Sequence, residues 1–418
     1  MLGSIGPSLL ADGVSPRISP SRTLVFAHIH CLPSYSKLLG YMIDEIGFDP
    51  AKIVVIPKVY STVPETLHEL RDMGIRVEKT NGGLRVGRYS QYAAPTLNAA
   101  CAHAEKLIDN LGSRSVDRAI LLDDGGSLTE FWYRYKLQEK IYTVSLQQTT
   151  SGIFRQPTGC KKIMKVNVAG SAAKRWFESL VIASGVTRKL SEMQEQLSDR
   201  PIGVIGYGAI GKAVAEAMTS YTNDGNIRIY DYAPNVRTDR FKNASSLRSL
   251  VQKSDFIFGC TGRNCFARAE HVLKDLERPL TFASCSSRGV EFMALLLAYG
   301  VATESPFGHV GLGSSRHPHK VLNGGFPINF DRVKEWETEN EISLTRALVL
   351  AGILQSLGEI RQANYETNII PLGPKAQKLA VETWLRLNKR SHKDFGVNTL
   401  DFQDHKWWES ESARGNRR

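Results

Sequence analysis

Short apolar runs alternating with helical stretches organise the first half of the chain. Leu24 to Ile29, Ile53 to Ile56, Ile75 to Lys79, Ala119 to Leu122 and Tyr142 to Leu146 each read as a strand, several with helical segments between them. This alternation predicts a parallel α/β layer. A second series opens at Pro201, with strands near Gly203 to Ile205, Ile227 to Asp231, Phe256 to Gly259 and Thr281 to Ser284. The first three lead into helical or loop crossovers, which predicts a doubly wound domain. A Gly/Pro/His-rich stretch, Ser305 to Pro327, interrupts the pattern. Helical periodicity resumes over about Glu341 to Gln362 and, past the Gly373-Pro374 break, over Pro374 to Leu387. The segment from Ser391 is polar, with Trp407-Trp408 embedded, and reads as an arm or a loose tail.

The most specific motif sits at the start of the second series. Ile202-Gly203-Val204-Ile205 runs into Gly206-Tyr207-Gly208-Ala209-Ile210-Gly211-Lys212 and then an alanine-rich helix. In a dinucleotide site the first glycine allows the tight turn, the second admits the pyrophosphate to the backbone, and the third lets helix pack on strand. Gly206, Gly208, Ala209, Ile210 and Gly211 are therefore the candidate cofactor contacts. About twenty residues further on, the strand Ile227-Arg228-Ile229-Tyr230 ends at Asp231, where a carboxylate accepts from ribose hydroxyls and repels a 2′-phosphate. The expected cofactor is NAD. Arg228 and Arg237 lie close enough in sequence to weaken the preference over NADP.

Bulk properties narrow the alternatives. The 418 residues are 42% hydrophobic and 23% charged, an ordinary globular balance, and no apolar run approaches the roughly 20 residues of a membrane span. Net charge is +11, but no basic block with interleaved aromatics occurs, so the expectation is no nucleic-acid partner, with an attraction for anionic ligands left open. The six cysteines lack metal spacing, which predicts no metal and no disulfide framework. A soluble, cytoplasmic protein is expected.

Three further blocks precede the glycine motif: Leu121 through Thr129, Gln147 through Gly152, and Asn167 through Lys174 with Phe177-Glu178-Ser179. Together with it they resemble the S-adenosylhomocysteine hydrolase (adenosylhomocysteinase) family, over about Phe26 to Asn329. The resemblance implies a two-domain α/β protein, its central doubly wound Rossmann NAD domain inserted in a substrate domain built from both ends of the chain. The corresponding division is a flexible segment over 1–22, substrate domain over 23–180, NAD domain over 181–332, a helical return over 333–390 and a tail over 391–418. Hinges fall near Glu178 to Gly185 and Phe330 to Thr345, with a cleft expected between the domains.

In that family, tightly held NAD oxidises a ribose C3′ hydroxyl, a base removes the acidified C4′ hydrogen, the 5′ substituent leaves, and the steps reverse with water. Carried over residue by residue, Lys174 assists hydride removal with Glu178 in place of an aspartate, and His30 with its partner Asp124 lies beside the C4′ base. Thr149, Thr150, Ser151, Ser179, Thr261, Gly262 and Asn329 fall where NAD is contacted. Plain alternatives stand beside these roles: a surface Lys/Glu helix pair, and turn chemistry in Asp123-Asp124-Gly125-Gly126. The departures concentrate on substrate. Leu32 stands where a substrate-contacting threonine would be, Gln148 replaces a ribose-binding glutamate, Ala183 replaces a cysteine, and Ser287 replaces a histidine beside the cofactor. The family's C-terminal lysine and tyrosine arm is not recognisable in Phe402 to Arg418.

The leading expectation is thus a divergent NAD-dependent enzyme that oxidises a C3′-like hydroxyl of a nucleoside-like small molecule, with or without coupled elimination and hydration. A homo-oligomer, dimer or tetramer, is expected. A D-2-hydroxyacid dehydrogenase, whose catalytic arginine precedes Gly much as Arg288 precedes Gly289, is one alternative; a non-catalytic NAD-sensing or partner-binding homologue is the other.

Overall fold

The computed structural model describes residues 6, 9, 18–80, 90–112, 115–154, 163–193, 195, 197–273, 276, 278–286, 289–300, 307–313, 319–358, 368–400 and 402. In chain order the strands are β1 (Thr23–Ile29), β2 (Ile53–Pro57), β3 (Arg76–Val77), β4 (Arg118–Asp123), β5 (Thr143–Gln147) and β6 (Met164–Asn167). Then come β7 (Ile202–Ile205), β8 (Ile227–Tyr230), β9 (Lys242–Asn243), β10 (Phe256–Gly259), β11 (Thr281–Ser284), β12 (Val310–Leu312) and β13 (His319–Val321), and finally β14 (Ile369–Pro371). They form two seven-stranded sheets, ordered β14-β6-β5-β4-β1-β2-β3 and β12-β13-β11-β10-β7-β8-β9. All pairings are parallel except β12 with β13.

The chain divides into two compact units, one of residues 18–80, 93–178 and 338–402, the other of 179–337. In the first, Leu24, Phe26, Val54, Ile56, Ala119 and Leu121 project from the sheet onto Leu97, Ala100, Ala104 and Ile108 of the helix Ser90–Leu111, with Trp132 beside them. The helix Glu339–Leu357 packs on β5 and β6 and is apolar nearly all round, as a helix buried on every side must be. It starts at a capping box between Thr338 and Glu341 and ends at Gly358. The periodicity predicted this helix and the next, Pro374–Leu387. The return differs from the all-helical expectation. β14 pairs with β6 and adds an edge strand to a sheet begun more than three hundred residues earlier.

Two other strand readings are corrected. The strand expected over Ile75 to Lys79 shrinks to β3, two residues at an exposed sheet edge, and the irregular stretch expected over Ser305 to Pro327 contains β12 and β13. β3 and β12 are edge strands, which make ladder bonds on one side only and need less of the apolar continuity that marks central strands; β13 lies between β12 and β11 and is three residues long. The second unit is covered on both faces. Val204, Ile227, Phe256 and Phe258 pack with Val186 and Val214 in one core, while Ile205, Ile257 and Phe282 pack with Leu250, Phe266 and Phe292 in the other.

Both sheets reverse direction at their first strand. From β1 the chain winds through β2 to β3 on one side, then returns to β4 on the other; from β7 it winds through β8 to β9, then returns to β10. Ligands in doubly wound sheets bind outside the carboxyl ends of the strands at such a switch. Those ends are where each unit places its polar groups.

Candidate functional site

In the second unit, β7 turns at Gly206 (φ 91°) into the helix Ala209–Met218. A Cβ at Gly211 would collide with the Gly206 carbonyl oxygen, so the tight turn and the close helix–strand approach both require glycine. Gly208 caps the helix without a side-chain hydrogen bond, and Gly208 and Ala209 are exposed, with Ile210 half-buried. The first-turn amides thus have no protein cap and face solvent with the positive end of the helix dipole, the arrangement a diphosphate needs. Asp231 follows β8; its Oδ2 accepts from the Tyr207 amide at 2.7 Å and its Oδ1 from the Ala233 amide at 2.8 Å. It therefore braces the glycine loop, and each carboxylate oxygen keeps a lone pair for a ribose hydroxyl.

The loop after β10 is held differently. Fully buried Glu291 accepts from the Thr261 amide (2.7 Å), the Thr261 hydroxyl (2.9 Å), the Gly262 amide (2.6 Å) and the Cys265 thiol (2.6 Å). Burial pushes the Glu291 carboxyl up in pKa, against these donors. The amides of Thr261 and Gly262, expected to face NAD, are spent on Glu291, which no sequence signal singled out. Asn329 likewise gives its Nδ2 to buried Glu337 at 2.8 Å.

In the first unit, the ends of β1, β2 and β4 bring His30, Lys58 and Asp124 together. Asp124 lies 2.9 Å from His30 Nε2 through Oδ2 and 2.8 Å from Lys58 Nζ through Oδ1, with all three side chains buried. Burial would raise the Asp124 pKa, but Lys58 and His30 hold it well below the usual carboxylate range. Burial first, then the Lys58 charge, lowers His30 to about 4 despite Asp124, so the imidazole is neutral at pH 7. An anionic Asp124 assigns the ring proton to Nε2, and Nδ1 then accepts from the Ser61 hydroxyl at 2.5 Å. Both ring nitrogens are engaged.

A second group adjoins it. Lys174 and Glu178 lie 3.2 Å apart on a π-helical turn, Lys174–Glu178, rather than the regular helix face expected for them. Lys174 Nζ also donates to the Gln148 carbonyl at 2.6 Å, and Glu178 accepts from the Thr345 hydroxyl at 2.9 Å. Gln148 is buried, and its Oε1 accepts from the Tyr35 hydroxyl. Arg346, from the long buried helix, stacks 3.6 Å from the Tyr35 ring centroid and donates to the Ser34 hydroxyl at 2.8 Å.

The sequence reading missed Lys58, Tyr35, Ser61 and Arg346. The strand-end rule that picked out His30 after β1 picks out Lys58 after β2 equally well. Nothing local marks Arg346. Leu32, expected at the substrate, is buried at the N-cap of the helix Pro33–Tyr41. Thr149 and Ser151 hydroxyls lie 3.2 Å apart, Thr150 opens the helix Thr150–Phe154, and Ser179 opens the helix Ser179–Glu192. Ser287 and Arg288 lie outside the described residues, as does the tail beyond Phe402.

The D-isomer specific 2-hydroxyacid dehydrogenase NAD-binding domain family matches residues 168–265. An uncharacterized protein of Mycobacterium tuberculosis (strain CDC 1551 / Oshkosh) is 29% identical over 337 residues, covering 79% of this chain and 63% of its own. The chain thus spans less than two thirds of that relative's length. An adenosylhomocysteinase of Plasmodium chabaudi chabaudi is 27% identical over 154 residues, 33% of this chain and 30% of that protein. Among solved structures, the D-isomer specific 2-hydroxyacid dehydrogenase of Lactobacillus delbrueckii ssp. bulgaricus in its NAD-complexed form is 16% identical, with a TM-score of 0.37, covering 81% of this chain and 98% of its own.

The chain is an α/β protein with a doubly wound Rossmann NAD-binding unit and a second α/β unit, and its cofactor is NAD. The adenosylhomocysteinase resemblance is partial, whereas the family match points to the 2-hydroxyacid dehydrogenase type; the NAD-binding fold is common to both. No described helix is long and apolar enough to cross a membrane.

Proposed function

We propose that this protein is an NAD-dependent oxidoreductase of the 2-hydroxyacid dehydrogenase type, interconverting a hydroxyl and a carbonyl on a small polar molecule. The observation that carries this is the family match over the glycine loop, whose steric and capping geometry fits a dinucleotide. Gly206 and Gly211 would hold the backbone close to the diphosphate, the amides of Ala209 and Ile210 would donate to it, and Asp231 would accept from a ribose hydroxyl. Bound there, NAD supplies the hydride acceptor.

Proton handling falls to the first unit. Lys174, a half-buried ammonium paired with Glu178 and donating to the Gln148 carbonyl, would relay the hydroxyl proton, passing one to the Glu178 carboxylate as it takes one up. His30, neutral and oriented by Asp124, accepts at Nδ1, so a proton reaching it passes through the Ser61 hydroxyl. Lys58 keeps Asp124 ionised while that happens.

The test is NADH absorbance on incubating protein and NAD with a panel of 2-hydroxy acids, polyols and nucleosides. Lys174→Ala should lower turnover by about 100-fold or more. Unchanged turnover overturns the role of Lys174, and no reduction by any compound overturns the activity.

A second reading is favoured by one observation: His30 with Asp124, and Lys174 with Glu178, each lie within ion-pairing distance. That supports a closed redox cycle on a nucleoside-like substrate, in the manner of S-adenosylhomocysteine hydrolase. Net NADH accumulation identifies the dehydrogenase; cofactor reduction that never exceeds the bound stoichiometry, with release of a 5′ substituent, identifies the cycle. Nicotinamide that binds but is never reduced identifies the non-catalytic homologue.

A further inference from the structure

We propose that Glu291, buried beneath the loop that follows β10, sets the oxidation-state preference of the cofactor site: its carboxylate is the counter-ion of the oxidised nicotinamide and favours NAD+ over NADH. The inference rests on the NAD reading of the glycine loop and adds to it which form the site prefers. Glu291 is 0% exposed and accepts at both oxygens, at Oε1 from the amides of Thr261 and Gly262 and at Oε2 from the Thr261 hydroxyl and the Cys265 thiol. Neutral donors stabilise a negative charge without cancelling it. No lysine, arginine or histidine among the described residues forms an ion pair with Glu291, and Arg263, on the same loop, is exposed. A buried carboxylate ordinarily has a cationic partner. Here the cation is supplied by the ligand.

Sheet order places that cation. The sheet reverses at β7, with β8 on one side and β10 on the other. With Asp231 after β8 accepting from the adenosine ribose and the glycine turn holding the diphosphate, a dinucleotide laid across the switch carries its nicotinamide half over β10. The loop after β10 bears on the same turn, since Thr261 Cγ2 lies 2.8 Å from where a Cβ on Gly206 would stand. Glu291 sits against the last residue of β10: a Cβ on Gly259 would meet its Cβ and Oε2 at 3.1 Å. The oxidised nicotinamide ring is positive and the reduced ring neutral, whereas adenosine and diphosphate are common to both forms, so a fixed negative charge acts on the difference between them. The titratable groups facing Glu291 are the thiols of Cys265 and Cys260, with Cys285 behind Cys260. Burial foremost for Cys265, and the Cys285 contact foremost for Cys260, push both thiols up, so they stay neutral. Burial also raises the Glu291 carboxyl, so its charge is lost at a higher pH than for an ordinary carboxylate.

The experiment is calorimetric titration of the full chain with NAD+ and with NADH, read as the ratio of the NAD+ Kd to the NADH Kd. Glu291→Gln keeps the size and removes the charge; it should raise the ratio about tenfold, the order that one charge exerts on another in a protein at an effective dielectric of about 20. Glu291→Asp keeps the charge and should hold the ratio within about twofold of the parent even where both affinities fall. In the parent the ratio should rise as pH falls from about 8 to about 5, because protonation removes the charge, and in Glu291→Gln it should stay flat. A role confined to bracing the loop weakens both forms alike, so an unchanged ratio in Glu291→Gln overturns the proposal. If that variant does not fold, a parent ratio that is constant over the same pH range overturns it equally. Binding of neither form by the parent refutes the cofactor reading and the proposal together; binding of both forms without the shift in ratio refutes the proposal alone.

Discussion

The two sheets are wound alike and equipped oppositely. Each reverses at its first strand and presents its functional groups past the carboxyl ends of neighbouring strands. At β7 and β10 those groups are backbone amides and glycines, braced from behind by Asp231 and Glu291. At β1, β2 and β4 they are ionisable side chains packed against one another: His30, Lys58 and Asp124. One topology thus supports two kinds of site, a steric, backbone-built one set by glycine geometry, and an electrostatic one whose strength depends on every partner being ionised as found.

The largest effect expected from breaking this contrast is on the buried pair. Lys58→Met leaves the Asp124 carboxylate buried beside only a neutral histidine and should cost about 3–5 kcal/mol in urea denaturation, whereas the double variant with Asp124→Asn should recover most of it. NAD affinity should not change in either. A single variant as stable as the parent would mean that the pair contributes nothing.

Next comes Gly211→Val, which drives a side chain into the Gly206 carbonyl and should weaken NAD by about 100-fold or more, close to 3 kcal/mol. Gly311→Ala, in β12 and outside the glycine loop, is the control, because nothing lies within 4 Å of a Cβ there. Equal losses at both positions in an NAD titration would refute the steric account.

The pH dependence should separate the sites. His30 has its folded pKa lowered to about 4 from 6.5, so the native state binds fewer protons than the unfolded chain between those values. Its contribution is complete above pH 6.5 and is lost as pH falls toward 4, by up to about 3 kcal/mol. Asp124, held far below its usual range, extends the loss to lower pH. Thermal melts from pH 7 to 4 should show the decline, and His30→Asn should flatten it; a decline that persists in the variant assigns it elsewhere.

The smallest stability effect belongs to Lys174→Met. Its half-buried pair with Glu178 should contribute no more than about 1 kcal/mol, although the same substitution should nearly abolish turnover. A large drop in melting temperature would recast Lys174 as a structural residue.

Legibility followed locality. The central strands, the two C-terminal helices and the glycine loop are legible because each signal lies within one contiguous run of residues. β12, β13 and β14 are not legible because a three-residue strand carries little pattern, whether at an edge like β12 and β14 or inside the sheet like β13. Lys174 with Glu178 and His30 with Asp124 are neighbours, as expected, but the engagement of His30 Nδ1 by Ser61 and of the Thr261 and Gly262 amides by Glu291 depends on strands and loops far apart in the chain.

The dinucleotide loop is written in contiguous residues, since a strand, a glycine turn and a helix start are local events. The company Asp124 keeps is set by sheet order. Lys58 arrives because β2 pairs beside β1, and Arg346 reaches Tyr35 and Ser34 from more than three hundred residues away because its helix is buried against β5 and β6. A buried charge takes its pKa and its partners from whatever the sheet order brings within a few ångströms, and that order is a property of the whole chain.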